Sequence, residues 1–72
     1  MEGKVIRITR VPNGIMILIW FGGKEYGRTY TGENFRNYAL WSDLKVGDQV
    51  DGLVWKDMEK GIVDADSPVH VL

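Results

Sequence analysis

Short apolar runs separated by glycine- and proline-rich turns predict an all-β protein. The first strand is predicted at "KVIRITRV" (Lys4–Val11), which is rich in β-branched residues and ends at the turn signal "PNG". The second is predicted at "IMILIWF" (Ile15–Phe21), which is apolar on both faces, so its outer side must be covered or used for binding. After the turn "GGK", a third strand is predicted at "EYGRTYT" (Glu25–Thr31).

The register of the first strand stays open at this stage. Val5 and Ile8 can both face inward only if the strand contains a bulge, whereas Ile6 and Ile8 can do so by plain alternation.

The second half of the chain predicts a short helix and two more strands. Phe35, Tyr38, Ala39 and Trp41 have offsets suited to a short helix or a 3₁₀ turn. The remaining segments are a fourth strand within "LKVGDQVDGLVWK", a hairpin at "DMEKG" and a last strand "IVDADSPVHVL" interrupted at Ser67-Pro68. This order predicts a single domain, residues 1–72, folded as a five-stranded OB barrel with one short helix between strands three and four. An SH3-like barrel is the alternative.

Length and composition indicate a small domain that has no disulfide bond to stabilise it. A chain of 72 residues buries roughly 60% of the surface that its unfolded form exposes. With no cysteine, neither a disulfide nor a thiolate metal site can supplement the core. No apolar run approaches the ~18 residues of a membrane span, so we expect a soluble, cytoplasmic protein with no membrane contact.

Charge is distributed unevenly along the chain. The whole protein carries −1, but residues 1–40 carry +3 and residues 41–72 carry −4. The asymmetry is consistent with a basic face and an acidic face, or with acidic residues that merely crowd the C-terminal loops.

The third strand carries the candidate chemistry. By the two-residue period, Tyr26, Arg28 and Tyr30 share one face, and Trp20 extends it if its side of the second strand is exposed. Aromatic rings that stack unpaired bases, together with basic groups that hold phosphates, are the means by which such sheets bind single-stranded RNA. The competing interpretation is that these rings fill a core poor in leucine. Arg28 favours a solvated face, because burying an unpaired charge is costly.

Nothing in the sequence indicates an enzyme, a cofactor or a metal site. The chain has no P-loop, no dinucleotide fingerprint and no nucleophile beside a base. His70 is the only histidine and has no cysteine with which to share a metal.

Several short motifs resemble bacterial translation initiation factor 1, a one-domain OB protein of similar size. They are "EGKV" at the first strand, Pro12-Asn13 at its end, Gly32 with Arg36-Asn37-Tyr38, "GDQV" (Gly47–Val50) and Lys60-Gly61. In that family a glycine, a basic cluster and an Asn-Tyr pair occupy the corresponding segment and face ribosomal RNA. Here three residues of this segment, Glu33, Asn34 and Phe35, replace mostly basic ones, which lowers the electrostatic share of RNA affinity.

The resemblance implies a small RNA-binding protein that contacts single-stranded or ribosomal RNA, with the small ribosomal subunit as a possible partner. Together with the sheet pattern it gives the following RNA-binding residues: Trp20, Tyr26, Arg28, Tyr30, Arg36, Asn37 and Tyr38. The alternative is a protein-interaction barrel that presents its acidic or apolar surface to a protein partner.

Overall fold

A three-stranded meander forms the larger part of the protein, and four short strands complete its sheet. The computed structural model describes all 72 residues. The elements are β1 (Gly3–Val11), β2 (Gly14–Gly22), β3 (Glu25–Gly32), α1 (Tyr38–Ser42), β4 (Gln49–Asp51), β5 (Trp55–Asp57), β6 (Ile62–Val63) and β7 (His70–Val71). The protein is therefore mostly β with one short helix, as the sequence pattern predicts.

The strands form one curled sheet in the order β5-β6-β3-β2-β1-β4-β7. Within the meander β1, β2 and β3 pair antiparallel. On one side of the meander β3 pairs parallel with β6, and on the other β1 pairs antiparallel with β4. The two ends of the sheet are β5, which pairs with β6, and β7, which pairs with β4.

The predicted number of five strands is wrong, because the structure has seven. The predicted fourth strand is divided into β4 and β5 by Gly52, whose φ is +84°. The predicted last strand is divided into β6 and β7 on either side of Pro68, which cannot donate to a ladder. The two breaks lie side by side, because a Cβ at Gly52 would come within 2.2 Å of the Pro68 carbonyl oxygen. Only glycine fits at this point.

The core lies on the concave side of the sheet and is built around alternate residues of β2. Ile15, Ile17 and Ile19 are buried there, with valines and leucines from the neighbouring strands. A bulge between Val5 and Arg7 settles the register of β1. Val5 pairs with Ile19 and Ile8 with Ile17, so both face the core.

The predicted short helix is confirmed as α1, and tertiary packing holds it in place. Trp41 is fully buried, and its indole N–H donates to the Ala65 carbonyl at 2.9 Å. A helix of five residues is far too short to be stable alone, so this anchor is its main support. The helix is also too short to cross a bilayer.

Candidate functional site

The convex side of the meander displays nine side chains in three rows, which we call the outer face. Strand register defines the rows, since each contains one residue from β1, one from β2 and one from β3. Row one is Lys4, Trp20 and Tyr26; row two is Arg7, Leu18 and Arg28; row three is Thr9, Met16 and Tyr30. The predicted face of β3 is thus part of a wider surface.

Three aromatic rings of the outer face are accessible. The exposed fractions are 37% for Trp20, 49% for Tyr26 and 53% for Tyr30. The indole N–H of Trp20 donates to the Gly23 carbonyl at 2.9 Å, which fixes one edge of its ring. Tyr30 lies across β2, because a Cβ at Gly14 would come within 2.7 Å of the phenol oxygen. Trp20 and Tyr30 are therefore held against the sheet, and all three rings keep surface for a ligand.

The basic residues of the outer face have no acidic partner. Arg7 and Arg28 are exposed on either side of Leu18 and form neither an ion pair nor a side-chain hydrogen bond within the protein. Lys4 also lacks an ion pair, and none of the nine residues is a carboxylate. The face is consequently positive although the protein as a whole carries −1.

A groove of about 400 Å³ runs over rows two and three. Its walls include both arginines, Met16, Leu18 and Tyr30, and Ile62 of β6 closes one side. A smaller groove of about 230 Å³ lies at the Lys4 and Trp20 end, and Glu2 brings a carboxylate to it. The two grooves therefore differ in charge, and the larger one is the better place for an anion.

The predicted site residues beyond β3 lie in a different environment. Arg36 donates from Nε to Oδ1 of Asp66 at 3.0 Å, and its Nη2 is also 3.0 Å from that oxygen. Asn37 donates to the Ala65 carbonyl at 3.4 Å, and Tyr38 packs against the core. The structure thus brings Trp20, Tyr26, Arg28 and Tyr30 together, whereas Arg36, Asn37 and Tyr38 attach to the 65–66 loop and the core.

Sequence reasoning missed the contribution of β1 to the outer face. Lys4, Arg7 and Thr9 complete the three rows, and the bulge lets Lys4 and Arg7 share one face although they are three residues apart. The signal that could have found it is the charge of Arg7 itself, which is costly to bury between apolar neighbours.

The titratable side chains elsewhere on the protein do not gather into a metal-binding cluster. No group of three His, Asp or Glu side chains lies close enough to hold a metal ion. On β4 the pKa of Asp51 is lowered, first because its carboxylate accepts a hydrogen bond from the Gly52 backbone N–H, and further because the Met1 amino group lies 3.4 Å away. Asp51 belongs to the acidic half and lies outside the outer face.

Comparisons of the chain with protein-family models, with curated proteins and with solved structures found no match. The geometry of the outer face is therefore the basis on which a function can be inferred.

Proposed function

We propose that this protein is an OB-type barrel that binds single-stranded RNA through its outer face. The observation that carries the proposal is the composition of that face. Three accessible aromatic rings stand beside Lys4, Arg7 and Arg28, with no carboxylate in any of the three rows.

The strand connections support the OB assignment. If β4 and β5 are the two halves of one bent strand, and β6 and β7 the halves of another, the seven strands reduce to five. The meander then pairs parallel with strand five through β3 and antiparallel with strand four through β1. A meander closed by these two pairings is the arrangement of a Greek-key OB barrel, and the parallel pair argues against the SH3-like alternative.

The chemistry of the outer face suits unpaired bases. Trp20, Tyr26 and Tyr30 offer flat surfaces for stacking, which contributes about 1–3 kcal/mol per base. A duplex hides its bases within the stack, so the rings would have nothing to bind. Arg7 and Arg28 supply the phosphate contacts, and their guanidinium groups need no internal ion pair to be broken first.

Binding should be weak and sensitive to salt. Only three basic residues converge on the outer face, which limits affinity, and release of about three counterions corresponds to a loss on the order of tenfold between 50 and 200 mM salt. The acidic half, residues 41–72 with a charge of −4, repels phosphate and directs the RNA toward the meander.

The resemblance to initiation factor 1 makes the RNA of the small ribosomal subunit one partner to test. The segment that carries much of that resemblance is occupied with internal contacts, since Arg36 pairs with Asp66. We therefore assign the RNA contact to the outer face and give the Arg36–Tyr38 segment a supporting role in the fold.

The test is titration with a fluorescent 12-nucleotide oligouridylate and with a matched RNA duplex. We expect the single strand to bind at 50 mM salt, to lose about tenfold or more in affinity at 200 mM, and to outcompete the duplex. Tyr26→Ala/Tyr30→Ala should abolish measurable binding, while Lys45→Gln, a charge change in an exposed turn, should leave it within about twofold. The absence of single-strand binding at 50 mM salt would overturn the proposal and favour a protein partner.

A further inference from the structure

We infer that Arg7 and Arg28 form a clamp for a single phosphate, so that the unit recognised by the outer face is a dinucleotide with its two bases splayed to either side. This inference rests on the proposed function and specifies the ligand chemistry at that site. It follows from the order of charged and aromatic rows.

Row two has the width that a clamp needs. Its two arginines lie on β1 and β3 with Leu18 of β2 between them. Neighbouring strands are about 4.8 Å apart, so the two arginine backbones are separated by about 10 Å. An extended arginine side chain covers half of that gap, and two of them can meet over Leu18. Both arginines line the same groove of about 400 Å³.

The aromatic rings lie on opposite sides of the arginine row. Trp20 and Tyr26 are in row one and Tyr30 is in row three, each about 7 Å from row two because the rows are two residues apart along the strands. A strand of RNA has one base on each side of every linking phosphate. With the phosphate in the clamp, its two bases reach the rings of rows one and three, since single-stranded bases can be splayed apart.

Charge outside the three rows limits the unit to two nucleotides. Beyond row three, Val11, Gly14 and Gly32 pair in turn and carry neither charge nor aromatic ring. Beyond row one, Glu2 lines the smaller groove and disfavours another phosphate. Further nucleotides therefore gain little from specific contacts.

The experiment is a set of NMR titrations with the dinucleotide UpU, with its neutral methylphosphonate-linked analogue and with uridine monophosphate. For the unmodified protein we expect the neutral analogue to bind about tenfold more weakly than UpU, because charge-assisted hydrogen bonds are lost. Uridine monophosphate should also bind more weakly than UpU, because it can occupy only one aromatic row. Affinity per binding site should rise little from UpU to UpUpU.

The double variant Arg7→Gln/Arg28→Gln supplies the matched test on the protein side. It should bind UpU weakly and should discriminate between UpU and the neutral analogue by less than about twofold. The control Lys45→Gln changes the same kind of charge away from the outer face and should keep the full tenfold discrimination. Amide spectra of each variant check that the fold is retained.

The outcomes separate the two proposals. Equal binding of UpU and its neutral analogue to the unmodified protein would overturn the clamp, and this measurement stands even if the variants fold poorly. If the 12-nucleotide oligouridylate still binds in that case, RNA binding by the outer face survives. If neither the dinucleotide nor the long oligomer binds, both proposals fail.

Discussion

Arg28 and Arg36 show how differently two exposed arginines can be placed. Arg28 stands in row two of the outer face, where no carboxylate is present. The side chain of Arg36 is 77% exposed, yet two of its nitrogens lie 3.0 Å from the same oxygen of Asp66. Both are candidate RNA-binding residues by sequence, but only one has a free charge.

The difference teaches that exposure of a basic side chain is not the same as availability to an anion. A phosphate at Arg36 would have to displace Asp66 or accept a position beside its carboxylate. The ion pair itself is a surface contact and contributes about 0–1 kcal/mol to stability. Its larger effect is on where RNA can bind.

The largest expected effect is a difference in stability between variants of Trp41, which anchors α1, and of Trp20, on the outer face. Trp41→Ala should lower the free energy of unfolding by about 3–5 kcal/mol, because this side chain is fully buried and anchors α1. Trp20→Ala, on the outer face, should cost much less stability but reduce RNA affinity. Urea denaturation and RNA titration measure the two effects, and equal loss of stability in both variants would contradict the comparison.

The next largest effect is the difference in RNA affinity between variants of Arg28 and of Arg36. Arg28→Gln should weaken binding of the oligouridylate about tenfold, whereas Arg36→Gln should change it by less than about twofold. Both substitutions should keep the free energy of unfolding within about 1 kcal/mol. If fluorescence titration shows the two variants to be equally impaired, the segment around Arg36 belongs to the RNA interface after all.

Removing the carboxylate that pairs with Arg36 should make this arginine more like Arg28 in its contribution to RNA affinity. Asp66→Asn frees the guanidinium group and should strengthen oligouridylate binding about two- to threefold at low salt. The gain should disappear at high salt, because exposed charges are screened. Asp43→Asn, the same charge change at an exposed position after α1, is the control. An equal gain in both variants would mean that only net charge matters.

The smallest effect concerns a carboxylate on β4, away from both arginines. The pKa of Asp51 is lower in the folded protein than its ordinary value of 3.8, so ionised Asp51 stabilises the fold above that pH. This contribution is lost as the pH falls through the lowered pKa. Thermal melts between pH 6 and pH 2, compared with Asp51→Asn, should show a slightly smaller decline in the variant. If the melting temperatures of the two proteins fall equally with pH, Asp51 does not contribute to the loss of stability in acid.

The strands, the helix and the exposed side of β3 could be predicted because each depends on local sequence. The alternation of Tyr26, Arg28 and Tyr30 is visible within one strand, as is the turn signal after Val11. The placement of Arg36 could not be predicted, since it depends on an ion pair between positions 30 residues apart. The sequence left the bulge in β1 open, and it is the bulge that places Lys4 on the same face as Arg7.

The prediction of five strands was wrong because it, too, depends on a contact between residues far apart in the sequence. Gly52 and Pro68 each have an ordinary local interpretation, and only the tertiary structure shows that their backbones meet. That close approach bends two strands at one point and turns five predicted strands into seven. A pattern read along the chain does not reveal contacts between turns.

The location of the outer face on consecutive strands has a consequence for folding. All three rows belong to β1, β2 and β3, which pair through two adjacent hairpins, whereas β7 is two residues long and pairs only with β4. Hairpins close quickly because their loops are short, while closure by distant segments is slower. We expect the amide hydrogens of β7 to exchange with solvent well before those of β2, so that β7 can detach from the end of the sheet while the meander stays intact.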